Sequence, residues 1–302
     1  MKIAVVGSTM MDIVSYTDKI PAAGETRAVR DFHTAGGGKG ANQAVAAARL
    51  GADVLFVSCI GDDMFGDQCR MNYEREAIDT RYVMAPKGVS NGVATIIVEE
   101  DGQNRILINK GANDALTPAK LKEAEQAIAA CGLIILQLEI PIETVYAAID
   151  MGVAHQIPVL LNPAPARADL DIEKVCACEF FVPNETELSI LTGKPTTTVE
   201  EIKTAAAELL ARGLKNVIVT MGARGSLWLT KERTEFVSTA KVRAVDSTGA
   251  GDSYIGCFAE TWSRTGDILA SMRRASRYAA DSVTKPGTQD SYATEKAFEG
   301  NA

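Results

Sequence analysis

Asp246 and Asp252 stand six positions apart in "DSTGAGDSYIGCF", on either side of the run Gly249-Ala250-Gly251. Glycines at this spacing let backbone approach a ligand closely. Downstream, Ile255, Phe258, Ala259 and Trp262 recur at the interval of one buried helix face, which predicts a helix beginning at Asp252. A helix start gathers free N–H groups at the positive end of the dipole and so suits a phosphate or another anion. The carboxylate there has two readings, an N-cap that satisfies an orphan N–H or a base beside a phosphate cradle.

Other polar clusters fall where apolar runs end. "AGGGKGANQAVAAARLGA" at 35–52 looks like a phosphate loop, but Gly40 follows Lys39 where such a loop needs Ser or Thr for magnesium. "GSTMMD" lacks the dinucleotide fingerprint, because no glycine follows Gly7 until Gly24. "QLE" at 137–139, "NPAPAR" at 162–167, "PNETE" at 183–187 and "TMGARG" at 220–225 complete the set. Each has a structural reading too: Asn184 and Glu187 have capping-box spacing, "TMGARG" suits a glycine turn and "NPAPAR" a proline-stiffened loop.

The elements that must position these residues alternate. Strand-like runs "IAVVG", "DVLFVS", "LIILQLE", "PVLLN", "EFFVPN" and "NVIVTMG" are separated by helical stretches such as 117–130, 142–155 and 199–213. That is an α/β pattern with a mostly parallel central sheet, whose ligands collect at the strand carboxyl ends. Residues 9–35 and 90–110 break the alternation; they are strand-rich, with a hairpin around Glu100-Asp101-Gly102-Gln103. They predict a small second sheet, either an antiparallel edge or a lid over the mouth of the main one. After about residue 285 the chain reads as a loop and a short terminal segment.

Composition sets the bounds. The 302 residues are 46% hydrophobic and 23% charged, as expected of a globular protein, here one domain over 1–302. A net charge of −8 disfavours nucleic-acid and membrane-surface partners. No apolar run reaches the length of a membrane span and "MKIAVVGSTMMD" reads as a strand and turn, so the cytoplasm is expected. Six scattered cysteines read as reduced packing residues. With only His33 and His155, a His metal site or a Ser-His-Asp triad has little to draw on.

"GGGKGANQAVAAARLGA" and "VDSTGAGDSYIG", about 210 residues apart, together with "NPAPAR", "PNETE" and "TMGARG", resemble the ribokinase family of carbohydrate kinases along essentially the whole chain. The resemblance implies a central, mostly parallel sheet between helices under a small β lid that often joins two subunits, hence a homodimer. It implies that Asp252 accepts the proton of a sugar hydroxyl attacking the γ-phosphate of ATP, with the Gly249, Ala250 and Gly251 amides as an anion hole. Met10, Asp12, Gly38, Lys39, Asn42 and Glu139 would surround the pentose. Asn184, Thr220, Gly222, Gly225 and Gly251 would contact ATP, and Glu187 would organise Mg2+ through water. Asp246, Thr248, Ser282, Lys285, Gly287 and Ser291 would hold an activating monovalent cation, K+, although Pro286 precedes Gly287 and could reshape that loop.

One residue departs from the ribokinase pattern. Met10 replaces an asparagine whose amide reaches the ribose 2-hydroxyl, so the chain is similar to the family members that phosphorylate 2-deoxy-D-ribose at its 5-hydroxyl. D-ribose, another family sugar or nucleoside, and simple packing of Met10 under the lid stay open. So does a sugar-sensing regulator without turnover, against which the intact Asp252 counts. A nicotinamide oxidoreductase loses its support with the missing fingerprint.

Overall fold

The computed structural model describes residues 1–100 and 103–300. Seven parallel strands form most of the main sheet: β1 (Ile3–Val6), β4 (Val54–Cys59), β5 (Asp79–Met84), β8 (Leu133–Leu136), β9 (Val159–Leu161), β10 (Phe180–Phe181) and β11 (Asn216–Thr220). An antiparallel pair, β12 (Ser226–Leu229) and β13 (Thr234–Val237), closes one edge, giving the order β13-β12-β11-β10-β9-β8-β1-β4-β5. The six apolar runs expected as strands are all present; β5, β12 and β13 were not among them.

Alternate residues of each strand go to opposite faces, as the pleat requires. Ala4, Val6, Leu55, Val57, Ile134 and Leu136 pack into one core. There they meet α3 (Pro118–Glu123), α4 (Glu125–Ala129), α5 (Ile142–His155), α6 (Ile172–Val175), α7 (Glu185–Thr192) and α8 (Val199–Arg212). Ile3, Val5, Val54, Phe56, Leu133 and Ile135 pack into the other, beneath α1 (Lys39–Arg49), α2 (Met64–Arg75), α9 (Ala250–Thr265), α10 (Ile268–Ser282) and α11 (Glu295–Gly300). The helical stretch 117–130 is two short helices, because Ala124 ends α3 in a turn before α4 begins.

A second sheet of four strands has the order β3-β2-β6-β7, built from β2 (Met10–Tyr16), β3 (Asp31–Gly37), β6 (Val93–Val98) and β7 (Asn104–Asn109). β6 and β7 form the expected hairpin, pairing Val98 with Asn104; Asp101 and Gly102 of its turn lie outside the described residues. All six cysteines are free and five are buried. Among the described residues no helix is long and apolar enough to cross a membrane.

Candidate active site

The α9 helix begins at Ala250, two residues before the expected start, because Gly249 caps it at φ 73° and ψ 2°. That left-handed conformation suits glycine and aims the first turn at open space: a Cβ on Gly251 would meet nothing within 4 Å. Asp252 is the third helical residue and only 6% exposed. The N-cap reading is therefore corrected. Its carboxylate turns away from the helix backbone, with Oδ2 accepting from Asn42 Nδ2 at 3.0 Å and Oδ1 from Gln43 Nε2 at 2.9 Å.

A cavity of about 210 Å³ opens in front of this turn, at the carboxyl ends of β9, β10 and β11. Lys39, Asn184, Glu187, Thr220, Gly249, Gly251 and Asp252 line it, seven residues that the sequence motifs had singled out. Asn162 and Ser247 line it as well. Asp252 beside Lys39 holds the ammonium above its ordinary range, against the opposite pull of burial. Burial pushes the Glu187 carboxyl up, while the Asn184 amide and Lys39 draw it down.

Asn184 and Glu187 form the capping box of α7, each side chain accepting the other's backbone N–H at 2.8 Å. Structural and site positions thus coincide in these two residues. Gly222 and Gly225 stand outside the cavity lining, in the tight turn between β11 and β12, where a Cβ on Gly225 would meet the Val237 carbonyl at 2.1 Å. For them the glycine-turn reading accounts for the geometry.

A second polar group adjoins the cavity through Lys39 and Asp252. Gly38, at φ 87°, is the N-cap of α1 and has no side chain to offer. Glu139 reaches in from the end of β8, and its Oε2 accepts from Lys39 N at 2.9 Å and Ser8 Oγ at 2.6 Å. Burial, Glu139 and Asp252 together raise the Asp12 carboxyl to about 6. Met10 and Asp12 share one face of β2, whereas Met11 between them faces the core.

Asp246 closes a third group. Its Oδ1 accepts from Thr248 N at 2.9 Å and its Oδ2 from Gly287 N at 3.0 Å, joining the loop before α9 to the loop after α10. Burial pushes this carboxyl up, but the Thr248 and Gly287 bonds prevail and hold it below its usual range. Ser282 Oγ bonds Ala279 O and Ser253 Oγ; Lys285 Nζ bonds Asp281 at 2.6 Å and Ser291 O at 3.5 Å. Pro286 leaves Gly287 in reach of Asp246.

Sequence reasoning passed over Gln43, Gln137, Asn162 and Gln289, all buried close to Asp252 or to its partners. The first three lie inside motifs quoted for their neighbours, and Gln289 lies in the polar tail read as a loop.

Residues 1–295 match the pfkB family of carbohydrate kinases, and the chain belongs to that family. It is 49% identical over 298 residues to a deoxyribokinase of Salmonella typhi, covering 99% of this chain and 97% of that one. It is 39% identical over 301 residues to a ribokinase of Schizosaccharomyces pombe, covering 96% and 94% respectively. Among solved structures it resembles an Arabidopsis thaliana ribokinase complexed with ribose and ATP, with a TM-score of 0.94, 30% identity, and coverage of 99% and 97%.

Proposed function

We propose that this carbohydrate kinase transfers the γ-phosphate of ATP to the 5-hydroxyl of a pentose, 2-deoxy-D-ribose in preference to D-ribose. The observation that carries the reading is the position of the Asp252 carboxylate beside an open, glycine-capped helix start. The 49% identity to a deoxyribokinase supports the choice of sugar.

The residues suit their ligands. Open space over Gly251 admits a phosphate against the first-turn amides, and Lys39, Asn184 and Thr220 supply polar groups around the same cavity. Glu187 lines the same cavity, where its carboxylate would hold Mg2+ through water. The Asp246 carboxylate with nearby neutral oxygens suits a monovalent cation such as K+. ATP supplies the phosphoryl group, and Mg2+ held near Glu187 would neutralise charge on its oxygens. Asp252 takes the hydroxyl proton, and the Gly249 and Gly251 amides face the charge that develops; the Ala250 N–H of the expected anion hole is spent on Ser247 O at 3.3 Å. Asp12, Asn42 and Glu139 orient the sugar, beside Met10 and Gly38.

The small sheet serves as the lid of the single domain and as the contact between two subunits in a homodimer. Its outer strand β7 leaves Ile106 and Ile108 exposed on the face that carries Asp12 and Leu107 exposed on the opposite face, apolar surface that a second copy would cover. The cytoplasm is the expected compartment for an enzyme using ATP. A panel of pentoses, hexoses and nucleosides with Mg-ATP, read by ADP release, tests the reading: highest kcat/KM is expected with 2-deoxy-D-ribose, and ADP release with no sugar of the panel would leave a sugar-sensing regulator in its place.

A further inference from the structure

Two chains of side-chain amides end on Asp252, one on each carboxylate oxygen. On Oδ1, Gln137 Nε2 donates to Gln43 Oε1 at 2.7 Å, and Gln43 Nε2 donates to Asp252 at 2.9 Å. On Oδ2, Asn72 Nδ2 donates to Gln289 Oε1 at 2.9 Å, Gln289 Nε2 to Asn42 Oδ1 at 2.9 Å, and Asn42 Nδ2 to Asp252 at 3.0 Å. Gln43, Gln137, Gln289 and Asn42 are all more than nine-tenths buried.

The direction of each chain follows from elementary chemistry. An ionised carboxylate only accepts, so the amide touching it must present its NH2 group and keep its oxygen for the amide behind. Each further amide is then forced the same way, and the dipoles align with their positive ends toward Asp252. Gln43 spends its second N–H on Asn162 Oδ1 at 3.2 Å, and Asn162 donates in turn to the Val182 carbonyl at 2.9 Å.

The far end of the first chain shows what this polarity costs. Gln137 Oε1 is one of three buried side-chain polar atoms without a partner among the described residues. It packs against Gly7, where a Cβ would lie 2.0 Å away. A buried acceptor without a donor is unfavourable. Turning the amide over would set its oxygen against that of Gln43, so the orphan persists as long as the chain points at Asp252.

We propose that the Gln137–Gln43 and Gln289–Asn42 chains are positioning devices that fix the Asp252 carboxylate in orientation, with Gln43 the principal positioning residue. The proposal rests on Asp252 acting as the base. Donors on both oxygens stop the carboxylate from rotating, so its remaining lone pairs keep one direction. Bonds made to the charged form also favour that form.

Lys39 from α1, Asp12 from β2, Glu187 from α7 and Tyr292 from the C-terminal segment are the titratable groups that act on Asp252 or feel its charge. Replacing Gln43 or Gln137 leaves all four in the chain, so a change in pH dependence reports on the amides.

The test compares Gln43→Leu, Gln137→Leu and Asp252→Asn with the wild type, using ATP and the sugar of highest turnover, by kcat, KM and the pH profile of kcat. Gln43→Leu should lower kcat about 10- to 100-fold, leave the KM for ATP within about twofold, and move the acid limb to higher pH. Gln137→Leu has no contact with Asp252; it should move the limb in the same direction by less. Its melting temperature should stay near wild type, since one orphaned oxygen is lost and another appears on Gln43. If Gln43→Leu does not fold, Gln137→Leu and Gln289→Leu decide by the same limb. Wild-type kcat and an unmoved limb, with Asp252→Asn inactive, would overturn the positioning role alone. Normal turnover by Asp252→Asn would instead overturn the reading of Asp252 as base.

Discussion

Asn42 Nδ2 donates to Asp252 Oδ2 at 3.0 Å, a bond between residues 210 positions apart that joins the first helix of the main layer to the helix at the mouth of the cavity. With Gln43 on the other oxygen, Asp252 has donors on both sides and no role in capping its own helix. Asp252→Asn should therefore lower kcat by about 10² to 10⁴, the range for removing a positioned base, while ATP still binds. The asparagine NH2 would face one of the two donors, so a lowered melting temperature should accompany the loss. Turnover within a few-fold of wild type would remove Asp252 from the chemistry.

Asp12 links the site to stability. Its carboxyl is raised from 3.8 to about 6, first by burial and then by Glu139 and Asp252. A folded-state value above the unfolded one means that the folded protein binds the proton more tightly. The stabilisation is thus fully present below about pH 3.8 and is lost as pH rises through about 6. The shift corresponds to about 3 kcal/mol, which partial exposure reduces to about 1–2 kcal/mol. Asp12→Asn should raise the melting temperature relative to wild type at pH 7, but not at pH 4. An equal difference at both pH values would remove the ionisation of Asp12 as the cause.

Asp246 ties the loop that carries Gly249 to the loop of Gly287, so an ion bound there would stiffen the helix start that meets phosphate. Activity with Mg-ATP should rise when potassium replaces a large organic cation at constant ionic strength. A flat response would leave Asp246 as a loop clasp only.

The exposed edge of the small sheet bears on assembly. β7 is an edge strand whose six residues are all exposed, with Leu107 72% exposed, and uncovered apolar edges of this kind invite pairing. Sedimentation should give a dimer for the wild type and a monomer for Leu107→Asp. A monomeric wild type, at concentrations well above those used for assay, would refute the subunit contact.

What the sequence disclosed follows physical lines. Strands buried on both faces announce themselves as continuous apolar runs, which is why β1, β4, β8, β9, β10 and β11 were legible. The edge strands β5 and β13 were not, being partly exposed and mixed with polar residues, and neither was "SLWL" of β12, which is too short to carry a period. Helical spacing located the buried face of α9 but not its first residue, which the left-handed Gly249 decides. The amides of Gln43, Gln137 and Gln289 were invisible for another reason. An amide has no directed role until folding sets its donor against a particular acceptor, and Gln289 comes to Asn42 from 247 positions away.

Met10 carries the last prediction. It is 3% exposed, stands outside both core clusters and shares its face of β2 with Asp12, whose carboxyl feels Glu139 and Asp252. A thioether at such a position is an adaptable apolar neighbour, suited to a carbon that bears only hydrogens. It offers no partner to a 2-hydroxyl, and leaving that hydroxyl unpaired costs about 1–3 kcal/mol, or about 5- to 150-fold in specificity. The enzyme should therefore show a higher kcat/KM for 2-deoxy-D-ribose than for D-ribose by a factor in that range. Met10→Asn should shift preference toward ribose, because the amide can bond the added hydroxyl and would itself lack a partner opposite deoxyribose. Both sugars must be measured with both proteins. A wild type that already prefers ribose, or a ratio of the two kcat/KM values unmoved by the substitution, would reduce Met10 to a packing residue beneath the small sheet.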